Sequence, residues 1–279
     1  MNIWQIEITN DCNFSCNYCP RTLKMKRPIG TMSYATIDRI ANICTSEWIR
    51  LHQFGESLLK PDVCEYAIRK FKQHGIKVGI NTNGSAANLK NVKRVFDAGL
   101  DEMVLSWHPT ELREFDKDKK VKSDKHYQTL IDNLPAEYLS KMEIIRVVDM
   151  KNTQAQLNVI DALMPYAKQN IKCSLKTQRN LGRVNGEPDP NAPMPSYCSF
   201  LEEPEFAVLW DGTIVSCCEV YDINKGGVFG NVHDDVLPVK NTGCSMCPGC
   251  PGYGGNNTET EKTINVTGDM NVKKVLNIL

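Results

Sequence analysis

The stretch "IWQIEITNDCNFSCNYC", residues 3–19, runs an apolar alternating segment straight into three cysteines. IWQIEIT (3–9) carries the β-branched and aromatic residues of a strand. Cys12, Cys16 and Cys19 follow at CxxxCxxC spacing, where a parallel α/β sheet puts its chemistry, just past the carboxyl end of a strand. Three thiols are one short of a closed four-thiolate site and odd for a disulfide framework. Gaps of three and two residues let three thiolates converge on three corners of an iron–sulfur cube, which is normally held by four cysteines. One iron is then left open to an exogenous ligand, by the logic that separates open catalytic metal sites from closed structural ones. On spacing alone, a zinc site completed by a distant ligand stands beside this reading.

Beyond this first strand the pattern repeats to about residue 177. Further strands are expected at EWIRLHQF (47–54), IKVGIN (76–81), EMVLSW (102–107), MEIIRVV (142–148) and IKCSLK (171–176). Helical segments separate them: SYATIDRIANIC, PDVCEYAIRKFKQHG, AANLKNVKRVFDAG, a long segment ending in HYQTLIDNL, and TQAQLNVIDALMPYAKQ. In the third of these, Val92, Val95 and Phe96 recur at helical spacing and Gly99 supplies a stop. Six strand–helix alternations imply parallel βαβ units with right-handed crossovers. They predict an α/β fold, a partial (β/α)6 TIM-like barrel, although an open doubly wound sheet fits the periodicity too. Four prolines and two glycines in "GRVNGEPDPNAPMPSY" (182–197) deny both ladder and helix. The expected division is a core over 1–181, a linker over 182–197 and a small cysteine-rich domain over 198–279. Within that domain EFAVLWDGTIVSC (205–217) reads as a β-hairpin turning at Asp211-Gly212, and the final VKKVLNIL reads as a short helix.

Thirty-three basic residues balance thirty-three acidic ones. No global field therefore favours nucleic acid or an anionic membrane, and neither is expected as a partner. No basic n-region precedes an apolar h-region at the start, and no apolar run approaches the ~20 residues of a membrane span. The reading is cytoplasmic, where twelve cysteines do not make a disulfide scaffold. Cys44, Cys64 and Cys173 stand alone in apolar-periodic segments and read as small buried hydrophobes. The others form the front group and a back group of Cys198, Cys217, Cys218, Cys244, Cys247 and Cys250. The back group holds interlocked CxxC pairs in "CSMCPGC" (244–250), a strong metal-ligand signal that suits a zinc ribbon and an iron–sulfur centre equally.

Together these motifs resemble the radical S-adenosylmethionine (radical SAM) superfamily, over roughly residues 3–177 and after four successive strands. The family's hallmark CxxxCx(aromatic)C has Tyr18 at its aromatic position. "QFGESLLKP" (53–61) is similar to the family's GGEPLL segment, with Phe54 replacing the first glycine and Ser57 the proline, while Gly55 and Glu56 are kept. The resemblance implies that Glu56 holds the methionine amino group of S-adenosylmethionine (AdoMet). "NTNG" (81–84) would put Thr82 and Asn83 near that cofactor, and Ser106 in "VLSW" near its ribose. "IIRVVDMKNT" after the fifth strand is only loosely similar and yields no residue. The implied chemistry is reductive cleavage of AdoMet at a [4Fe–4S] cluster on Cys12, Cys16 and Cys19. It gives a 5′-deoxyadenosyl radical that abstracts hydrogen from substrate, with an electron donor such as flavodoxin or ferredoxin as partner.

In the back group, Cys198-x13-Gly212-x4-Cys217 followed by CxxC resembles the SPASM and twitch extensions of the same superfamily, which carry auxiliary [4Fe–4S] clusters. No cysteine lies in the last twenty-nine residues, so six thiols fall short of two such clusters. The resemblance implies one auxiliary cluster on Cys198, Cys217, Cys244 and Cys247, with Cys250 as the substitute for one of them. Cys218 reads as a packed neighbour or, more sharply, as a hydrogen donor to a substrate radical. His108 in "SWHPT", and Arg179 and Arg183 beyond the sixth strand, are candidate substrate contacts. Two reactions follow from the resemblance. One is net oxidation of a small alcohol or amino sugar, with the auxiliary cluster taking the electron. The other is modification of a peptide or protein by cross-linking, oxidation or epimerisation. A first strand beginning at residue 3 leaves no room for a preceding peptide-recognition domain and favours the small molecule. From a different class, a non-catalytic module with zinc at both sites is the alternative.

Overall fold

The computed structural model describes residues 1–16, 19–108, 124–148, 152–177, 191–248, 250 and 263–268 of the chain. Tyr18, Arg179, Arg183, most of the expected linker and the terminal VKKVLNIL lie outside the described residues.

The elements alternate in the order read from periodicity: β1 (Asn2–Ile6), α1 (Pro20–Leu23), α2 (Tyr34–Ile43), β2 (Trp48–Leu51), α3 (Pro61–Gln73), β3 (Lys77–Thr82), α4 (Leu89–Asp97), β4 (Glu102–Ser106), α5 (Asp124–Asp132), α6 (Ala136–Leu139), β5 (Met142–Val148), α7 (Thr153–Ala167) and β6 (Lys172–Thr177). Local chemistry sets their ends. Ser33, Asn88 and Asn152 precede α2, α4 and α7, and each accepts from the backbone N–H three residues on, at 3.1, 2.9 and 2.9 Å. Each satisfies a donor the helix leaves open, a contribution of about 1 kcal/mol. Pro20 and Pro61 stand at the starts of α1 and α3, where a missing N–H costs nothing.

β1 to β6 pair in chain order and all in parallel. After α8 (Ser199–Glu202), β7 (Glu205–Val208) pairs in parallel with β1, and β8 (Thr213–Val215) and β9 (Val228–Asn231) extend that edge antiparallel. The β7–β8 turn falls at Asp211-Gly212, with Gly212 at φ +86°. β10 (Thr263–Val266) runs antiparallel to β6 on the other edge. The product is a ten-stranded sheet, in the order β10-β6-β5-β4-β3-β2-β1-β7-β8-β9, that does not close. It is the expected partial (β/α)6 barrel, and its cysteine-rich C-terminal hairpin continues the barrel sheet.

Strand register separates two faces. Paired Ile6 and Leu51 join Ile37, Ile40, Ala67 and Phe71 of the helices in the main core. Cys44, Cys64 and Cys173 pack in or against the same core. The opposite face is polar, with Gln5, Arg50, Gly79 and Glu102 forming one cross-strand row. Arg50 reaches Asn81 Oδ1 at 3.0 Å and Glu102 at 2.5 Å. Ser174 Oγ and Lys172 Nζ engage Glu143 at 2.8 and 3.0 Å. Removing these charges from water is tolerable because each has a partner. Among the described residues no helix is long and apolar enough to cross a membrane.

Candidate functional site

The cysteine loop leaves β1 and is pinned before it reaches its first thiol. The Asn10 side chain donates to Pro28 O and accepts from Gly30 N, both at 2.8 Å. Glu7 and Arg27 form a buried two-pronged ion pair at 2.8 Å, fixing the segment after α1 against the strand. Cys19 caps α1, its N–H bonding Cys16 O at 3.1 Å. Arg21 reaches back to Asn10 O at 2.7 Å and Phe14 O at 3.4 Å. Burial pushes the Cys12 thiol up to about 12, against the pull of the Phe14 N–H on its sulfur. Cys19 is raised by burial as well. Such thiols stay protonated at neutral pH until a metal displaces the proton.

The ends of β2 and β3 converge on this loop. A Cβ on Gly55 would stand 1.9 Å from Thr9 O and 2.8 Å from Asp11 O, so only glycine lets the β2 loop lie against the segment leaving β1. Glu56 follows, buried, with its N–H on Asp11 O at 2.8 Å. Its carboxylate accepts from Leu58 N at 3.0 Å, Thr82 Oγ1 at 2.8 Å and Asn83 N at 2.7 Å. Burial raises its pKa while these three donors pull it down. Three of about four acceptor sites are thus engaged within the protein. Asn83 Nδ2 lies 3.6 Å from Cys12 Sγ and 3.3 Å from Asn13 Oδ1. Asn83 therefore reaches the first cysteine, with Glu56 and Thr82 bonded behind it and Gly55 against the backbone just before that cysteine.

Ser106 ends β4 on the polar face, beside Ile145 of β5 in register. His108 lies two residues on and accepts from Val147 N through Nδ1 at 3.3 Å. Sequence reasoning missed several members of the site. Asn13 and Ser85 bond side chain to side chain at 2.7 and 2.9 Å, and Tyr127 Oη donates to Asn83 O at 2.8 Å. His52, next after Arg50 on the polar face, is held down to about 3, first by burial and then by the Arg50 charge. It is a neutral imidazole, and its buried Nδ1 has no partner; Gln5 Oε1 is in the same condition. Of these, Ser85 adjoins a motif quoted from the sequence, the NTNG of residues 81–84.

In the back group, Cys217 and Cys244 pack against a small second core that includes Phe54, Ala207, Val215, Tyr221 and Met246. Cys244 and Cys247 stand 3.9 Å apart at sulfur, and Cys244 N donates to Cys247 Sγ at 3.2 Å. The hydrogen bond from Cys244, then burial, raises the Cys247 thiol, and Cys217 lies near enough to add to it. Cys250 N bonds Cys247 O at 2.9 Å. Two left-handed glycines make room: a Cβ on Gly227 would sit 2.7 Å from Cys244 Cβ, and one on Gly243 would sit 2.9 Å from Cys247 Sγ and 3.2 Å from Leu201. Leu201 belongs to α8, which Cys198 caps, so Cys198 opens the helix beside this loop. Cys218 is partly exposed next to Cys217.

Among the described residues no three His, Cys, Asp or Glu side chains stand close enough to share a single ion. A cube, with a separate iron for each thiolate, uses wider spacing. The two cysteine groups are neighbours. Met25 and Phe54, from the segments flanking the front loop, pack in the second core with Cys217 and Cys244, and the Glu219 charge is felt at Cys19.

The radical SAM superfamily profile matches residues 6–136. An uncharacterised protein of Methanocaldococcus jannaschii is 30% identical over 169 residues, which are 59% of this chain and 54% of that protein. The chain thus spans about half the length of this curated relative. Among solved structures, BtrN in complex with AdoMet and 2-DOIA superposes with a TM-score of 0.55 at 17% identity, over 84% of this chain and 83% of that one. anSMEcpe with bound AdoMet and a peptide gives 0.52 at 14% identity, over 84% and 77%.

Proposed function

We propose that this chain, whose residues 6–136 match the radical SAM superfamily profile, is a radical SAM enzyme that oxidises a small polar substrate, taking hydrogen from a C–H bond and passing the remaining electron to one auxiliary [4Fe–4S] cluster. The observation that carries this reading is the meeting of two strand-end motifs at the Cys12 loop: the Gly55 contact with Thr9 and the Glu56 brace after β2, and the Asn83 amide after β3. The donor set fits an iron–sulfur cluster. Three thiols follow one strand, and the two whose pKa burial raises, Cys12 and Cys19, would give up their protons to a bound metal. When bound, cluster and AdoMet supply one electron and a sulfonium, whose cleavage gives methionine and a 5′-deoxyadenosyl radical that takes the substrate hydrogen.

The chain's own residues have separate tasks in this reading. Cys12, Cys16 and Cys19 would hold the front cluster. Cys198, Cys217, Cys244 and Cys247 would hold the auxiliary one, with Cys250 as substitute. Gly55, Thr82, Asn83 and Ser106 would border AdoMet, and Glu56 would steady that border while keeping about one acceptor site for the amino group. The polar face beyond, with Arg50 fixed by Asn81 and Glu102 and with neutral His52, suits a substrate bearing hydroxyl or amino groups. Oxidation of an alcohol there would balance with one hydrogen atom going to the deoxyadenosyl carbon, one proton to solvent and one electron to a cluster that Cys198, Cys217, Cys244 and Cys247 would hold. Cys218 would serve instead in a hydrogen-donating reaction. A cytoplasmic setting with a flavodoxin- or ferredoxin-type donor accords with this chemistry.

A second reading, modification of a peptide, is favoured by the fold shared with the peptide-bound anSMEcpe. The test begins with anaerobic reconstitution, reduction and AdoMet. Release of 5′-deoxyadenosine that Cys16→Ala abolishes supports the enzyme, and a colourless zinc protein refutes it. Deuterated polyols, amino sugars and peptides then compete to label 5′-deoxyadenosine. Label from peptide alone replaces the first reading by the second.

A further inference from the structure

We propose that the turn Asn83 to Ser85 is a latch: it positions the cysteine loop and donates a hydrogen bond to the Cys12 sulfur, so that it sets how readily the cluster held there is reduced. This rests on the reading of Cys12, Cys16 and Cys19 as cluster ligands.

The orientation of the Asn83 amide follows from its surroundings. Its Oδ1 accepts from Ser85 N at 2.8 Å, the ordinary self-closing turn of an asparagine. The oxygen is thereby committed, and the NH2 must face the other way, toward Cys12 Sγ at 3.6 Å and Asn13 Oδ1 at 3.3 Å. Asn13 stands between the first two cysteines and is gripped again by Ser85 Oγ at 2.9 Å. The loop therefore meets the turn at two successive residues.

The turn itself is fixed from every side. Asn83 N donates to Glu56 at 2.7 Å, Asn83 O accepts from Tyr127 at 2.8 Å, and Gly84 N donates to Thr82 Oγ1 at 3.0 Å. His126 Nε2 lies 3.0 Å from Gly84 O. Gly84 sits at φ +76°, and a Cβ there would come within 2.3 Å of the Tyr127 ring. A solvated turn needs none of this. What the bracing achieves is a single amide N–H held toward a thiolate. Hydrogen bonds to the sulfurs are among the factors that set cluster potential. The reduced cluster carries one more negative charge, so a donor at Cys12 stabilises it, and removing the donor makes reduction harder.

The test uses the full chain, reconstituted anaerobically, with EPR-monitored redox titration of the front cluster before AdoMet is added. Asn83→Ala removes the donor; Asn83→Asp also places a negative charge near the sulfur while keeping an acceptor for Ser85 N. Expected are midpoints more negative than wild type, with Asn83→Asp furthest and the auxiliary signal unmoved. Variants with full iron that titrate at the wild-type midpoint overturn the proposal. Where the Asn83 variants fail to hold iron, Tyr127→Phe leaves Asn83 intact and loosens only the turn. It should shift the midpoint by less and in the same direction, and an unchanged midpoint there overturns the proposal too. A wild-type protein whose cluster signal ignores AdoMet fails earlier, and that result refutes the cluster assignment rather than the latch alone.

Discussion

Around Cys12 the neighbours are polar side chains from three strand ends, Asn13, Glu56, Asn83 and Ser85, each in a directed hydrogen bond. Around Cys244 the neighbours are apolar, Val220, Tyr221, Met246 and Phe54, with two left-handed glycines giving the backbone room. Under the proposed function, the contrast follows from what each site would have to admit. A front site that takes up AdoMet, with its sulfonium, ammonium and carboxylate, needs polar walls and a loop whose position is set by geometry. On the same reading, a back site that only relayed electrons would call for the apolar packing found around Cys244.

Five substitutions would break or sharpen this contrast. Largest is Cys16→Ala, expected to abolish 5′-deoxyadenosine release. Cys244→Ala should spare that release while iron falls from about eight per chain to about four; chromatography and iron assay read both. Next is Gly55→Ala, whose Cβ meets backbone oxygen that cannot yield. A loss of about 3 kcal/mol or more is expected in denaturant unfolding. Phe54→Ala opens the second core, at about 3 kcal/mol, and should labilise auxiliary iron to chelators before front iron. Equal loss from both sites would erase the distinction. Smallest is Glu56→Gln, at about 1–3 kcal/mol. Its Oε1 can still accept from Leu58 and Thr82, but an NH2 would confront the Asn83 N–H, so the front site alone should loosen, read as weaker AdoMet binding by calorimetry.

The six parallel strands and their helices were legible because each pairs with a neighbour one helix away and buries a periodic face. Val92, Val95 and Phe96 of α4 are one such face. The sheet edges were not. β7 pairs with β1 across some two hundred residues, and β10 is four residues, TINV, in a polar tail; neither has a period long enough to announce itself. The hairpin at Asp211-Gly212 was readable from its turn, but that it continues the barrel sheet was not. At the site, the cysteines stood out through their chemistry and spacing, and the Gly55-Glu56 and Thr82-Asn83 pairs only through their resemblance to the radical SAM motifs. Asn13, Ser85 and Tyr127 did not. Asparagine and serine in a loop carry no signal until a partner seventy residues away is known, and Tyr127 reads along its helix only as an apolar position.

The account depends on a front cluster with one iron that the polypeptide leaves free. Electron–nuclear double resonance on the reduced, reconstituted protein, with AdoMet isotopically labelled at its amino nitrogen and carboxylate, tests this directly. The account predicts that added AdoMet changes the cluster spectrum and that both labels couple to the unpaired spin. A spectrum indifferent to AdoMet, with no coupling from either label in protein carrying its full iron, would contradict it.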